Sequence, residues 1–320
     1  MSLPSVPSSR LLIPFAAPLA EAGRAALAAL PLPRLQAALA RCDVAVDAGD
    51  EWSFTPPHER ALARARGWNG GDGQLPFAAR AAAEDGLVDA AVQGDLAWGL
   101  VTPVHWHVGT DQVSLLPPSQ LLLAEAESRA LFEAVQPLFT DEGFVFAWGA
   151  PLRWYAAHES LAGLRTASLD RVIGRNVDPW LGSDPAARRI RRLQAEVQML
   201  LYTHPVNDER EARGLLPVNS FWLSGCGVAQ PLTAAPIAVD DRLRSAALTD
   251  DWPGWTRAWE TLDEGPIATW LDAASGDPDA LLVLAGERSA ASLTPARRGW
   301  WQALRTRLSP PVPRSLLETL

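Results

Sequence analysis

Residues 199–227, MLLYTHPVNDEREARGLLPVNSFWLSGCG, constrain this chain more than any other stretch. Pro205 disfavours helix at His204 and so ends the element before it. Asn207 is a good N-cap for a short helix over 208–213, whose acidic first turn suits the helix dipole. Gly214 closes that helix. Residues 218–224 read as a strand, apolar on both faces apart from Asn219 and Ser220, which predicts a place at the centre of a sheet. Gly225-Cys226-Gly227 reads as a turn at the C-terminal end of that strand, where ligands gather in open α/β sheets.

The helix leading into this stretch is equally legible. Asp184 and Pro185 open it as N-cap and first helical residue. Ile190, Leu193, Val197, Leu200 and Leu201 form an apolar stripe, with Arg188, Arg191 and Arg192 facing away. Glu196 pairs with Arg192 at i, i+4 and flanks the stripe. Just upstream, residues 166–180 (TASLDRVIGRNVDPW) bring Arg171 and Arg175 four apart, on one face if helical. Their guanidinium forks suit a phosphate or carboxylate. The alternative is an ion-pair cluster that orients a loop.

Elsewhere residues 11–16 read as a buried strand, followed by alanine-leucine helix over 20–41, broken near Pro31 and Pro33. Thr55 is a candidate N-cap ahead of Pro56 and Pro57. Residues 95–116 alternate as strand, with His105 and His107 side by side on one face. Two imidazoles so placed can share a metal, with Glu196 as a further candidate ligand. A half-exposed polar sheet face is the simpler reading. Cys226, between two glycines, is either an exposed thiol nucleophile or a small turn residue. Residues 124–139 read as a helix, 144–148 and 152–156 as a hairpin, and 280–286 as a second buried strand. Trp255 and Trp259, one helical turn apart, read as core. The pattern predicts a mixed α/β fold, a central mixed sheet flanked by helices. We expect a main domain over 1–230 and a helical, Trp-rich region over 231–320 packed on it.

Composition narrows the chemistry. All 28 basic residues are arginine, so no lysine is available as Schiff base, general base or phosphate-loop cation. A net charge of −9 argues against nucleic acid as a partner. Cys42 and Cys226 make no disulfide framework and would stay thiols in a reducing cytoplasm, the expected location. The apolar residues 11–20 are too short to span a bilayer, and prolines interrupt them, so no membrane insertion is expected. The basic, aromatic segment 295–308, with Trp300 and Trp301, is a candidate contact for a partner protein.

Over LYTHPVNDEREARGLLPVNSFWLSGCG, together with SLDRVIGRN at 168–176, the chain resembles a family of bacterial proteins labelled regulatory protein of the RpfE type, some members of which carry the label phosphoglycerate mutase. His204, Pro205, Asn207, Arg210, Gly214, Pro217, Asn219, Gly225 and Gly227 also resemble a run in archaeal-type cofactor-independent phosphoglycerate mutases of the alkaline-phosphatase superfamily. That resemblance implies a fragment of the superfamily fold. In those mutases two divalent metals and a serine nucleophile do the chemistry. The strand LLIPFA here has no Asp-Gly, and the chain has 5 histidines, none in an Asp-His-Ser or Asp-x-x-x-His set.

These readings lead to the expectation of a non-catalytic cytoplasmic regulator, without metal or cofactor, binding a small anionic ligand through Arg171, Arg175, His204, Asn207, Arg210 and Asn219. The alternative is a metal- or thiol-dependent, phosphoglycerate-mutase-like enzyme using His105, His107 and Glu196, or Cys226.

Overall fold

A computed structural model describes residues 9–87, 96–233, 235–296 and 311–320. The fold is mixed α/β. Its contacts divide into two compact units, one of residues 1–52, 56–67 and 232–320 and another of residues 53–55 and 68–231. The sequence division at 230/231 falls beside the seam at Pro231. However, the first 52 residues share a unit with the C-terminal region rather than with 68–231. The reason is strand pairing. Strand β1 (Arg10–Ile13) lies parallel to a C-terminal strand, Leu281–Ala285, along Arg10↔Leu281 to Ile13↔Leu284.

In the first unit that pairing sits inside a mixed five-stranded sheet. Strand β2 (Cys42–Asp47) lies at one edge, antiparallel to Ala290–Pro295, and the two-residue strand Ala238–Val239 lies at the other. Alternate residues point to opposite faces of a strand. Ile13, Leu282 and Leu284 therefore enter a core with Trp255, Trp259 and Trp270, while Leu12 and Val283 pack with Ala61 on the other face. Trp255 and Trp259 meet edge to face at 6.1 Å, both fully buried, as their spacing predicted. Buried Asp263 accepts from the amides of Arg34 and Leu35 at 2.9 and 2.8 Å, serving the helix Pro33–Arg41, which has no side-chain cap at its own N-cap residue.

The second unit is built on a four-stranded antiparallel sheet. Its order is β4 (Val145–Ala150), β5 (Arg153–Ala157), β3 (Ala97–Val104) and β6 (Ser220–Val228). Helices α2 (Glu125–Asp141) and α3 (Pro185–Tyr202) share a core with it, where Phe139 stacks on Phe146 at 4.2 Å. Helix α1 (Phe77–Glu84) also packs against β3 and β6. Two short strands, Trp106–Val108 and Val113–Leu115, form a separate ribbon.

Three local expectations change. Strand β6 is an edge strand, not a central one; helices cover it, so its apolar pattern reports burial rather than strand neighbours. Gly225-Cys226-Gly227 is not a turn, because the strand runs through it to Val228. The glycines let α1 approach. Gly225 has φ +64°, and a Cβ there would lie 3.0 Å from the Ala78 nitrogen; one at Gly227 would lie 3.2 Å from Pro76 Cα. Thr55 is not an N-cap either. The helix Pro57–Arg66 starts after Pro56, and the Thr55 hydroxyl accepts from Gly73 N at 2.7 Å. Asp72 holds the same strap, accepting from Thr55 N at 2.8 Å, Phe54 N at 3.1 Å and Arg165 at 2.8 Å.

Gly225→Ala is expected to lower stability by about 1–3 kcal/mol, from the positive φ and the crowding of α1. Gly276→Ala, where a Cβ would meet nothing within 4 Å, is expected to change it far less. Urea denaturation of the two variants checks the difference.

Candidate functional site

The motif residues gather around the junction of α3, the helix α4 (Pro205–Ala212) and the start of β6. His204 is the N-cap of α4: Pro205 occupies the first turn, and the unprotonated His204 Nδ1 accepts from Val206 N at 3.2 Å. Asn207, expected as that cap, instead lies inside the helix and is buried. Its amide nitrogen donates to Leu201 O and Val218 O, both at 2.8 Å, and its oxygen accepts from Val218 N at 2.9 Å. One side chain thereby ties the end of α3 to the residues entering β6. Asn219 makes a similar two-point contact, accepting from Trp106 N at 2.7 Å and donating to Trp106 O at 2.9 Å.

Arg210 is fully buried. Its guanidinium donates to Leu216 O at 3.0 Å, to Leu121 O and to the Glu127 carboxylate. Glu127 also accepts from exposed Arg213 and from Ala124 N at 3.1 Å, at the start of α2. Burial opposes the Glu127 charge, but the Arg213 hydrogen bond, the Ala124 amide and the charges of Arg210 and Arg213 outweigh it, holding its carboxyl below the usual range. Such groups bridge α2 and α4 and leave the buried guanidinium paired, as burial of a charge requires.

The remaining sequence candidates are placed differently from their sequence reading. Arg171 and Arg175 do not share a helical face, because the helix Leu169–Val172 stops before Gly174, at φ +75°. Buried Arg171 donates to Ser53 Oγ at 2.9 Å, while Arg175 is half-buried. His105 and His107 do not lie on one continuous strand, since strand pairing breaks at His105. His105 Nδ1 donates to Pro217 O at 2.9 Å, and His107 is exposed on the short ribbon. Glu196 faces Arg192 at 3.5 Å. Among the described residues no three His, Cys, Asp or Glu side chains are grouped so as to hold a metal ion. The donor set therefore does not fit the two-metal centre that the mutase resemblance implies. Cys226 is buried, and burial, opposed by the Thr166 hydrogen bond, pushes its thiol up to about 12, so the thiol-nucleophile reading is corrected. Segment 297–310, with Trp300 and Trp301, lies outside the described residues.

One polar constellation escaped the sequence reading. Asp85 takes two hydrogen bonds from Arg153, at 2.9 and 2.8 Å, and one from Tyr155 at 2.7 Å. The Arg153 hydrogen bond holds the Asp85 carboxyl below the usual range, and burial together with Asp85 raises the Tyr155 hydroxyl well above its own. Asp85 read only as the end of an alanine-rich helix, and nothing near it in sequence marks Arg153 or Tyr155 as its partners.

Among the described residues no helix is long and apolar enough to cross a membrane. No family model matches the chain. It is 29% identical over 166 residues to a probable 2,3-bisphosphoglycerate-independent phosphoglycerate mutase of Geobacter sulfurreducens, a match covering 47% of this chain and 42% of the relative. The match thus spans less than half the length of that curated protein. Of solved structures, the cofactor-independent phosphoglycerate mutase of Thermoplasma acidophilum aligns with a TM-score of 0.35 at 14% identity, over 90% of this chain and 89% of that one. A Pyrococcus horikoshii protein aligns with a TM-score of 0.41 at 13% identity, over 94% and 93%. The curated relative is an enzyme, which corrects the expectation of a non-catalytic regulator.

Two outcomes test the cluster. Asn207→Ala removes three hydrogen bonds and leaves buried backbone groups unpaired, an expected loss of about 2–4 kcal/mol in denaturant titration. Glu127 has a folded-state pKa below its unfolded value, so its contribution to stability is complete above the unfolded value and disappears as pH falls through the folded one. From the ordinary glutamate value of 4.5 downward, wild type should lose stability more steeply with acidification than Glu127→Gln. Melting temperatures measured from pH 6 to pH 3 decide this.

Proposed function

We propose that this chain is a phosphoglycerate-mutase-like protein that acts on a small phosphorylated acid in the cytoplasm. The observation that carries this reading is the 29% identity over 166 residues to the probable mutase of Geobacter sulfurreducens. The all-arginine cation set supports it, because the guanidinium fork pairs bidentately with phosphate and carboxylate.

Within the six-residue candidate set, we divide the roles by burial. Asn207, Arg210 and Asn219 have their polar groups engaged by backbone or by Glu127, and they hold the walls. Arg175 and His204 are half-buried rather than enclosed, and we assign them to the anion. His204 Nδ1 is taken up in the cap, so Nε2 is the nitrogen that can donate to a phosphate oxygen. No step is routed through a metal, since the described donor set does not fit one.

The full chain is expected to bind 3-phosphoglycerate saturably in calorimetry and to convert it to 2-phosphoglycerate in an enolase-coupled assay. Arg175→Ala is expected to weaken binding about tenfold, the equivalent of ~1.4 kcal/mol. Absence of both heat and turnover would discard the reading.

A further inference from the structure

Helix α3 leaves one face open to solvent, and the side chains on that face follow a symmetric order. We propose that two copies of this chain associate through it, their α3 helices antiparallel about a two-fold axis at Ala195. Arg188, Arg191, Ala195, Met199 and Tyr202 are all exposed. At 3.6 residues per turn they lie within about 40° of one line along the helix. Met199 is 78% exposed and Tyr202 84%, whereas Leu193, Val197 and Leu201 are buried in the core of the unit. The inference is independent of the mutase reading.

Spacing chooses the partner. Single exposed apolar side chains are ordinary on a protein surface. Here two arginines stand seven and four positions before Ala195, and methionine and tyrosine stand four and seven positions after it. An interface on a two-fold axis requires that residue i meet residue j and that j meet i. Antiparallel helices centred on Ala195 satisfy this: Tyr202 of one copy meets Arg188 of the other, and Met199 meets Arg191, each twice. A guanidinium over a tyrosine face is attractive. Arginine, methionine and tyrosine are also enriched at protein interfaces, where lysine and the acidic residues are depleted. The small side chain of Ala195 sits on the axis, where the helices come closest.

Charge fixes the orientation. A parallel pair would set Arg188 beside Arg188 and Arg191 beside Arg191. The antiparallel pair holds the two Arg188 side chains about 21 Å apart along the axis, where physiological salt screens their repulsion. Arg188 donates to Ser183 O at 2.8 Å, which holds it near the start of the helix. Arg192 stands beside the line and meets Glu142 and Glu196 of its own chain. The arginine that the mirror positions do not use is thus neutralised internally. One pair of 18-residue helices buries less than about 1,200 Å², the range of transient association, so a weak, micromolar dimer is expected.

Sedimentation velocity of the full chain over a micromolar concentration series is expected to show a reversible monomer–dimer equilibrium. Tyr202→Arg sets cation against cation and is expected to weaken the dimer about tenfold. Adding Arg188→Glu to that variant is expected to restore it, because positions 188 and 202 are too far apart to pair within one helix. Ala195→Cys should cross-link to itself with a short bismaleimide, the native Cys42 and Cys226 being buried. Arg188→Cys and Tyr202→Cys should each stay unlinked alone and link to one another when mixed. A monomer at every concentration, a dimer indifferent to Tyr202→Arg, no recovery with Arg188→Glu, or self-linking of Arg188→Cys would overturn the proposal.

Discussion

Strand β6 lies at the edge of its sheet, and the second unit depends on how that edge is closed. An edge strand presents backbone groups with no strand to meet them, and buried ones need partners. Side chains from several elements supply those partners. Asn207 takes both polar groups of Val218 just ahead of the strand, Gln194 takes Phe221 O, and the Thr166 hydroxyl accepts from Cys226 N at 3.3 Å. A strand that is apolar on both faces can therefore sit at an edge without exposing an aggregation-prone ladder.

Arg210 performs the matching task behind the strand. Helix α4 is short, and the loop from Gly214 to Pro217 has little regular structure of its own. A buried guanidinium with several fixed donors can hold two backbone carbonyls and a carboxylate at once, which a lysine ammonium holds less specifically. The carboxylate it meets, Glu127, belongs to the first turn of α2, so the same ion pair registers two helices. Removing one member of such a pair leaves the other charged and buried, a larger penalty than the pair's net contribution. The density of special residues in 199–227 thus has a physical cause independent of catalysis.

This bears on how the resemblance to phosphoglycerate mutases is understood. The positions that carry it, His204, Asn207, Arg210, Asn219, Gly225 and Gly227, include a helix cap, two backbone clamps, a buried ion pair and close-approach glycines. In this chain such residues join helix to strand.

Local chemistry determined much of this from sequence alone. The helix opened by Asp184 and Pro185, the break at Pro205, the buried strands near 11–13 and 281–285 and the Trp255–Trp259 pair all follow from caps, ring constraints and periodicity, which act over a few residues. Tertiary structure decided the rest. That β1 pairs with Leu281–Ala285, that β6 is an edge, and that Asp85 meets Arg153 and Tyr155 depend on contacts between residues far apart in the chain. Burial makes a covered edge strand and a central strand look alike in sequence. Asn207 shows the limit most plainly: its side chain can cap a helix or clamp a strand, and only the arrival of Val218 beside it settled which.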